Sequence, residues 1–157
     1  MSNWIDQIKQ EDERQVHAKR KDDELHLHVS GIVQAKAPAF WKGLIDQIQI
    51  DLNTLRDTFP NDNRRQGDLI QRGQKYELQG KKLPITILEL SLDLNRLCIE
   101  VQKSVRTDRT DQSLFHPIDP IKMNVDINDE LYLSWRTARF TDPAALAESL
   151  IKTVFIP

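Results

Sequence analysis

The chain has 157 residues, of which 39% are hydrophobic and 29% are charged, and its formal net charge is −2. This length and composition predict one globular domain with its own core, and they exclude a disordered, fibrous or low-complexity chain. The near-neutral charge gives no overall attraction to nucleic acid or to an anionic membrane. Cys98 is the single cysteine, which excludes an internal disulfide.

The first residues lack the basic region and the unbroken apolar region of a secretory signal. No apolar run approaches the roughly 18 residues that a bilayer-spanning helix needs. A single cysteine also fits a reducing compartment. Together these features predict a cytoplasmic protein without a membrane partner.

Residues 1–36 are predicted to form a highly charged helix. An apolar cluster of Trp4, Ile5 and Ile8 opens it, and the following residues 9–24 are almost entirely charged or polar. Opposite charges three and four residues apart favour a helix that is exposed to water around most of its circumference. Apolar residues return over 25–33, where a helical spacing competes with a strand-like alternation. We favour the helix, because the preceding run is helical.

A second, amphipathic helix is predicted over 38–59. Pro38 fits its first turn, where the missing N–H costs nothing, and turn-forming residues end it. Its apolar stripe recurs at steps of three and four residues, as expected for one buried helix face: Trp41, Leu44, Ile45, Ile48, Leu52, Leu55 and Phe59. Residues 64–75 lack a sustained period and are predicted to form a polar connection.

Between residues 76 and 136 the apolar period changes to two, which predicts β-strands. Alternation and turn residues indicate five strands in sequential hairpins, at 76–79, 85–92, 97–105, 121–127 and 131–135. A last helix is predicted over 142–155, with Asp142 as its N-cap and Pro143 in its first turn. The predicted fold is a single α+β domain over residues 1–157: two amino-terminal helices, an antiparallel sheet of about five strands, and a carboxy-terminal helix packed on the sheet.

Motifs that carry well-known chemistries are absent from the sequence. The five glycines form neither a phosphate-binding loop nor a dinucleotide-binding fingerprint. His26 and His28 would share a metal on a strand, but on the favoured helix they point about 200° apart. Cys98 lies in an apolar strand, where a thiol usually behaves as a small hydrophobic group. We therefore assign no catalytic residue, no metal ligand and no cofactor, and an enzyme is the less favoured interpretation.

The charge distribution distinguishes the middle of the chain. Residues 61–109 carry 10 basic and 7 acidic side chains, whereas the segments before and after them are net negative. Cations at a loop and strand edge can contact phosphates without reading sequence, and the candidate anion contacts are Arg64, Arg65, Arg72, Lys75, Lys81 and Lys82. Ordinary solvated loop charge is favoured over this interpretation, because the aromatic side chains that stack on single strands are almost absent here.

The first helix suggests a different function. A helix that is polar almost all round, with apolar residues at its ends, can project from a domain and bind another protein or a second copy. Trp4, Ile5 and Ile8 are the candidate partner contacts, and their return to the core of the same domain is an equally weighted alternative. The leading hypothesis is therefore an interaction or regulatory module, with a homodimer as one form of it.

Two alternatives remain open from the sequence. One is a nucleic-acid accessory protein that uses the basic residues of 64–82. The other is a small-molecule or enzymatic cleft between helices and sheet that contains Trp41 or Trp135.

Overall fold

A helix far longer than predicted dominates the structure, a computed structural model that describes residues 3–107 and 114–156. Helix α1 spans Asn3–Thr58, 56 residues, which at 1.5 Å per residue is about 84 Å. A compact chain of 157 residues has a radius of gyration of only about 15 Å. The rest of the protein is therefore too small to cover α1 along its whole length. Residues 25–33 belong to this helix, which confirms the helical alternative for them.

Helix α1 passes without a break through Pro38, so the predicted boundary between a helix at 1–36 and a helix at 38–59 is wrong. Pro38 itself is exposed, whereas Val33 before it and Leu44 after it are fully buried. One face of the helix thus packs on both sides of the proline. This packing holds the helix across the one backbone hydrogen bond that proline cannot donate.

The chain after α1 folds into a 3-10 turn (Asn63–Arg65), an antiparallel sheet and helix α2 (Pro143–Phe155). Eight strands are described, not about five: β1 (Gly67–Arg72), β2 (Lys75–Gly80), β3 (Ile85–Asp93), β4 (Cys98–Arg106), β5 (Leu114–His116), β6 (Ile121–Val125), β7 (Leu131–Trp135) and β8 (Ala138–Phe140). The strand order is β1-β2-β3-β4-β6-β7-β8, and β5 also pairs with β4. The α+β class and the antiparallel pairing are confirmed, and the five predicted strands correspond to β2, β3, β4, β6 and β7.

Strand β1 occupies part of the segment 64–75, for which the sequence predicts a polar connection. Two glycines conceal the strand. Gly73 makes the turn into β2 with a φ of 64°, and a Cβ at Gly67 would lie 2.5 Å from Phe155 Cζ and 2.7 Å from the Gln79 carbonyl oxygen. Glycine is thus required by the close approach of the β2 backbone and of Phe155 from α2, and not by a loop. Strands β5 and β8 have three residues each, too few to produce a readable alternation.

The second half of α1 and helix α2 pack together and against the sheet. Helix α2 begins as predicted, since the Asp142 carboxylate accepts a hydrogen bond from Ala144 N at 3.0 Å and Pro143 follows it. The core combines fully buried side chains of both helices with those of the sheet: Leu44, Ile48, Leu78, Leu88, Leu90, Leu133, Leu146 and Leu150. Within the described residues, no helix is both long enough and apolar enough to cross a membrane.

Candidate functional site

The first half of α1 extends away from the rest of the protein. Every residue from 3 to 28 is exposed, and Val29 is the first half-buried one. We call residues 3–28 the arm and the remaining described residues the body. At 1.5 Å per residue the arm is about 39 Å long. No ion pair in the described structure involves residues 3–27. The opposite charges along the arm are therefore not paired with each other.

The three predicted partner contacts lie at the tip of the arm and do not reach the core. Trp4, Ile5 and Ile8 expose 64%, 49% and 54% of their surface. Val16 and Leu27, further along the arm, are also exposed. Sequence reasoning missed these two, because they stand singly among polar residues. A series of exposed apolar side chains on one element is typical of a surface that another molecule covers.

Three apolar residues of the arm continue the face of α1 that the body covers further along the helix. At 3.6 residues per turn, Ile5, Ile8 and Val16 line up with Leu44 and Ile48, which are fully buried. On the arm this face borders a shallow groove of about 560 Å³, lined by Ile5, Ile8, Lys9, Asp12, Glu13, Val16, His17 and Arg20. The described body leaves this part of the face uncovered.

The loop between β6 and β7 fixes the base of the arm. His28 Nε2 lies 3.0 Å from Asp129 Oδ1, and Lys36 Nζ donates to the Asp129 carbonyl oxygen at 3.1 Å. These contacts join the last residue of the arm, and the helix just after it, to the body. His26 occupies the same helix as His28, and no group of three His, Cys, Asp or Glu side chains among the described residues is arranged to hold a metal ion.

A shallow pocket of about 430 Å³ lies beside the base of the arm. It is lined by Asp22, Leu25, His26, Val29, Leu97, Met123 and Asn124. Leu97 lies immediately before β4, and Met123 lies in β6, so the pocket is where the arm meets the sheet. The arm therefore has an exposed tryptophan at its tip and an open, partly apolar pocket at its base.

Three of the predicted anion contacts, Arg64, Lys81 and Lys82, line one pocket of about 760 Å³ beside the 3-10 turn and the β2–β3 loop. Sequence reasoning missed a fourth cation in its lining, Arg106. Strand pairing brings it there, since Arg106 is opposite Ile85 in the register of β3 and β4. Its Nε atom is buried and has no hydrogen-bond partner among the described residues. We call the site of these four cations the basic pocket.

One acidic residue, Asp62, also lines the basic pocket. Its Oδ1 atom accepts hydrogen bonds from the backbone N and the Nε of Arg64, at 3.0 and 3.2 Å, and Arg65 Nε lies 3.7 Å from its Oδ2. The hydrogen bond from the Arg64 side chain holds the pKa of Asp62 below its ordinary value. Asp68 Oδ1 lies 3.9 Å from Lys81 Nζ. Four cations against these two carboxylates leave the pocket with an excess of positive charge.

The other predicted anion contacts lie elsewhere. Arg72 and Lys75 are at the far end of the β1–β2 hairpin, where they pair with Glu77 at 3.0 Å and Glu89 at 3.1 Å. Arg65 lies 4.1 Å over the Phe59 ring and lines a groove between α1 and α2. Arg64 also lines this groove, so it lies between Arg65 on one side and Lys81 and Lys82 of the basic pocket on the other. The structure therefore does not bring the six predicted cations together in one site.

The groove between α1 and α2 has a volume of about 810 Å³. Leu55, Phe59, Ile151 and Phe155 contribute its apolar part, and Asp51, Arg65, Glu148 and Lys152 are among its charged lining. Neither Trp41 nor Trp135 lines it. Trp135 is almost completely buried and donates its Nε1 hydrogen bond to the Asp119 carbonyl oxygen at 3.0 Å, so it is part of the core and not of a cleft.

Cys98 is a buried free thiol at the start of β4. Burial raises its pKa above the ordinary value, and the negative charges of Glu100 and Asp93 act in the same direction. Because the thiolate is the reactive form, such a cysteine is protonated and unreactive at neutral pH. This agrees with the interpretation of Cys98 as a small hydrophobic group.

Fold and surfaces define an α+β protein that carries a projecting helical arm and a separate basic pocket. Neither a family model, nor a curated protein, nor a solved structure matches this chain. Its function is therefore argued from these surfaces alone.

Proposed function

We propose that this protein is a cytoplasmic interaction module whose arm binds a protein partner. The observation that carries the proposal is the exposure of Trp4, Ile5, Ile8 and Val16 along a helix that the body leaves uncovered. Helices in proteins gain most of their stability from packing an apolar face, and the body covers none of the apolar face of the arm at Ile5, Ile8 and Val16. A partner that covers this face supplies the missing contact.

The base of the arm supports the same function. His28 and Lys36 tie α1 to the β6–β7 loop, and the helix continues unbroken from this point to Asn3. A binding surface that is already ordered pays less conformational entropy when a partner docks. The body thus serves as a platform that presents the arm in one direction.

Site-specific photo-crosslinking in the native cell tests this function. A photoreactive residue at Val16, on the apolar face, should form a covalent adduct with another protein chain. The same residue at Arg14, about 200° away around the helix, is the matched control and should form much less. No adduct from Val16, or equal adducts from both positions, would refute the arm as a docking surface.

A second candidate function is anion binding in the basic pocket, including the phosphates of a nucleic acid. The buried, unpaired Nε of Arg106 beside Arg64, Lys81 and Lys82 favours it, because a buried donor without an acceptor is costly and a phosphate oxygen would satisfy it. The test is binding of a single-stranded oligonucleotide at low salt.

Reversal of Arg64 and Lys82 to glutamate should abolish salt-sensitive binding if the basic pocket holds the phosphates. Reversal of Arg72 and Lys75, which lie at the far end of the β1–β2 hairpin and outside the basic pocket, is the control and should change binding little. If the unmodified protein binds no oligonucleotide at low salt, the second candidate is wrong.

A further inference from the structure

We propose that the arm binds the arm of a second copy of this chain, antiparallel, with Val16 on the two-fold axis. This inference rests on the proposed function, because it names the partner that the arm binds. It is carried by three features of the arm, which are the order of its charges, the faces on which they lie, and the positions of its apolar residues.

The order of charges is self-complementary in one direction only. Asp12 and Glu13 form an acidic block and Lys19 and Arg20 form a basic block, and the two blocks lie equally far before and after Val16. An antiparallel pair centred on Val16 therefore sets each acidic block opposite the basic block of the other copy. Lys9 and Asp23 are also equidistant from Val16 and face each other. In a parallel pair in register, each block would lie opposite the identical block of the second copy, and the like charges would repel each other.

The residues that must meet lie along one line of the helix. At 100° per residue, Ile5, Lys9, Asp23 and Leu27 all fall within about 20° of the direction of Val16. When two such helices lie side by side, this line becomes the seam between them. The exposed groove on the arm runs along the same line, since Ile5, Lys9 and Val16 are in its lining.

The charges that flank the seam also match. Asp12 and Lys19 lie on one side of the line through Val16, and Glu13 and Arg20 lie on the other. A two-fold axis perpendicular to the plane of the two helices places each flank of one copy beside the same flank of the other. Asp12 thus meets Lys19 of the second copy, Glu13 meets Arg20, and the symmetry repeats both contacts. None of these four side chains is engaged in an ion pair with a described residue of its own chain.

The apolar ends of the arm fit the same register. Ile5 and Leu27 are equidistant from Val16, so they meet across the seam at both ends of the pair. Trp4 comes level with His28 of the second copy, at the base of its arm. The pocket at the base of the arm, which Val29 lines, lies on the same flank of α1 as Trp4 does at the tip. The exposed tip residue of one copy thus lies on the same flank of the pair as the partly apolar pocket of the other.

Exposed ion pairs contribute little individually and are screened by salt. We therefore expect a modest affinity whose orientation is selected by charge and whose strength falls as salt rises. Sedimentation equilibrium of the full-length protein at low and high salt measures this. A dimer at low salt whose Kd rises at least about tenfold at high salt is the expected result.

Charge reversal tests the register. Asp12→Lys with Glu13→Lys, or Lys19→Glu with Arg20→Glu, should each weaken self-association by about tenfold or more, because like charges then meet on both flanks. Combining all four substitutions in one chain should restore the dimer. In a parallel pair each block faces the identical block of the second copy, so reversing its sign leaves the repulsion between the two copies unchanged. If both double variants dimerise as the unmodified protein does, the antiparallel register is wrong.

The matched control makes the same change of net charge at two positions away from the seam. Arg14→Glu with Lys21→Glu removes two positive charges and adds two negative ones, as Lys19→Glu with Arg20→Glu does. Both control positions lie on the far side of the helix. The control should dimerise as the unmodified protein does, and an equal loss would mean that net charge alone, and not the seam, governs association.

Outcomes for this inference and for the proposed function are distinguishable. A full-length protein that stays monomeric at low salt and high concentration overturns self-pairing. If Val16 is then crosslinked to a different protein in the cell, the arm is still a docking surface and only the identity of the partner is wrong. If Val16 forms no adduct at all, both are wrong.

Discussion

Replacing Pro38 by alanine should stabilise the protein. Proline in a helix interior costs about 3 kcal/mol relative to alanine, and Pro38 lies well inside the 56-residue helix α1 with its side chain exposed. Alanine also makes the unfolded chain more flexible, and this stabilisation of the unfolded state reduces the gain by about 0.4–1 kcal/mol. The net gain is about 2 kcal/mol, which for 157 residues is a rise in Tm of about 6 °C.

Thermal and urea unfolding followed by circular dichroism measure this change. Ala39→Pro is the informative counterpart, because Ala39 is also exposed within the same helix. In a continuous helix this substitution should cost about 3 kcal/mol. If a separate helix began at Pro38, Pro38→Ala would be neutral or destabilising and Ala39→Pro would fall in a first turn that tolerates proline. That pair of results would refute an unbroken α1.

Three further substitutions or measurements test the body. Leu88 is fully buried in the central strand β3, so Leu88→Ala should lower the free energy of unfolding by about 2–5 kcal/mol in urea titrations. Gly67→Ala should cost about 1–3 kcal/mol, because its Cβ would overlap Phe155 and the Gln79 carbonyl; unchanged stability would contradict that packing. Cys98, buried and with a raised pKa, should react with a thiol reagent at pH 8 far more slowly than in the urea-unfolded chain, and rapid labelling of the native protein would show that β4 opens.

The strands that the sequence predicts are those with a long alternation. Strands β3 and β4 have nine residues each, enough for a period of two to be read without ambiguity. Strand β8 has three residues, and in β1 the glycine at position 67 removes a side chain where the pattern needs one. Glycine is needed there because the Gln79 carbonyl of β2 and the Phe155 ring of α2 both approach position 67, and Phe155 is far from it in sequence.

The prediction of a helix boundary at Pro38 was wrong for a related reason. Local chemistry places proline most often in the first turn of a helix, and the sequence contains nothing local that contradicts it. The burial of Val33 and Leu44 on either side is a property of the assembled core. Packing on both sides of Pro38 outweighs the local preference, and sequence periodicity cannot measure that balance.

The candidate site was partly predictable. Trp4, Ile5 and Ile8 stand out as apolar residues before a polar run, but whether they return to the core depends on the size of the body relative to α1. Similarly, Arg64, Lys81 and Lys82 are evident as nearby cations. Arg106 joins them only because β4 pairs with β3, a relation that charge counting along the chain cannot detect.

The sequence by itself determines the α+β class, the antiparallel hairpins, the cap of α2 and the order of charges along the first helix, because each of these depends on residues that are near neighbours in the chain. Only the tertiary structure decides which surfaces stay uncovered. An unbroken helix of 56 residues is longer than the body can cover, so its first half is left exposed together with the apolar face that the body buries further along.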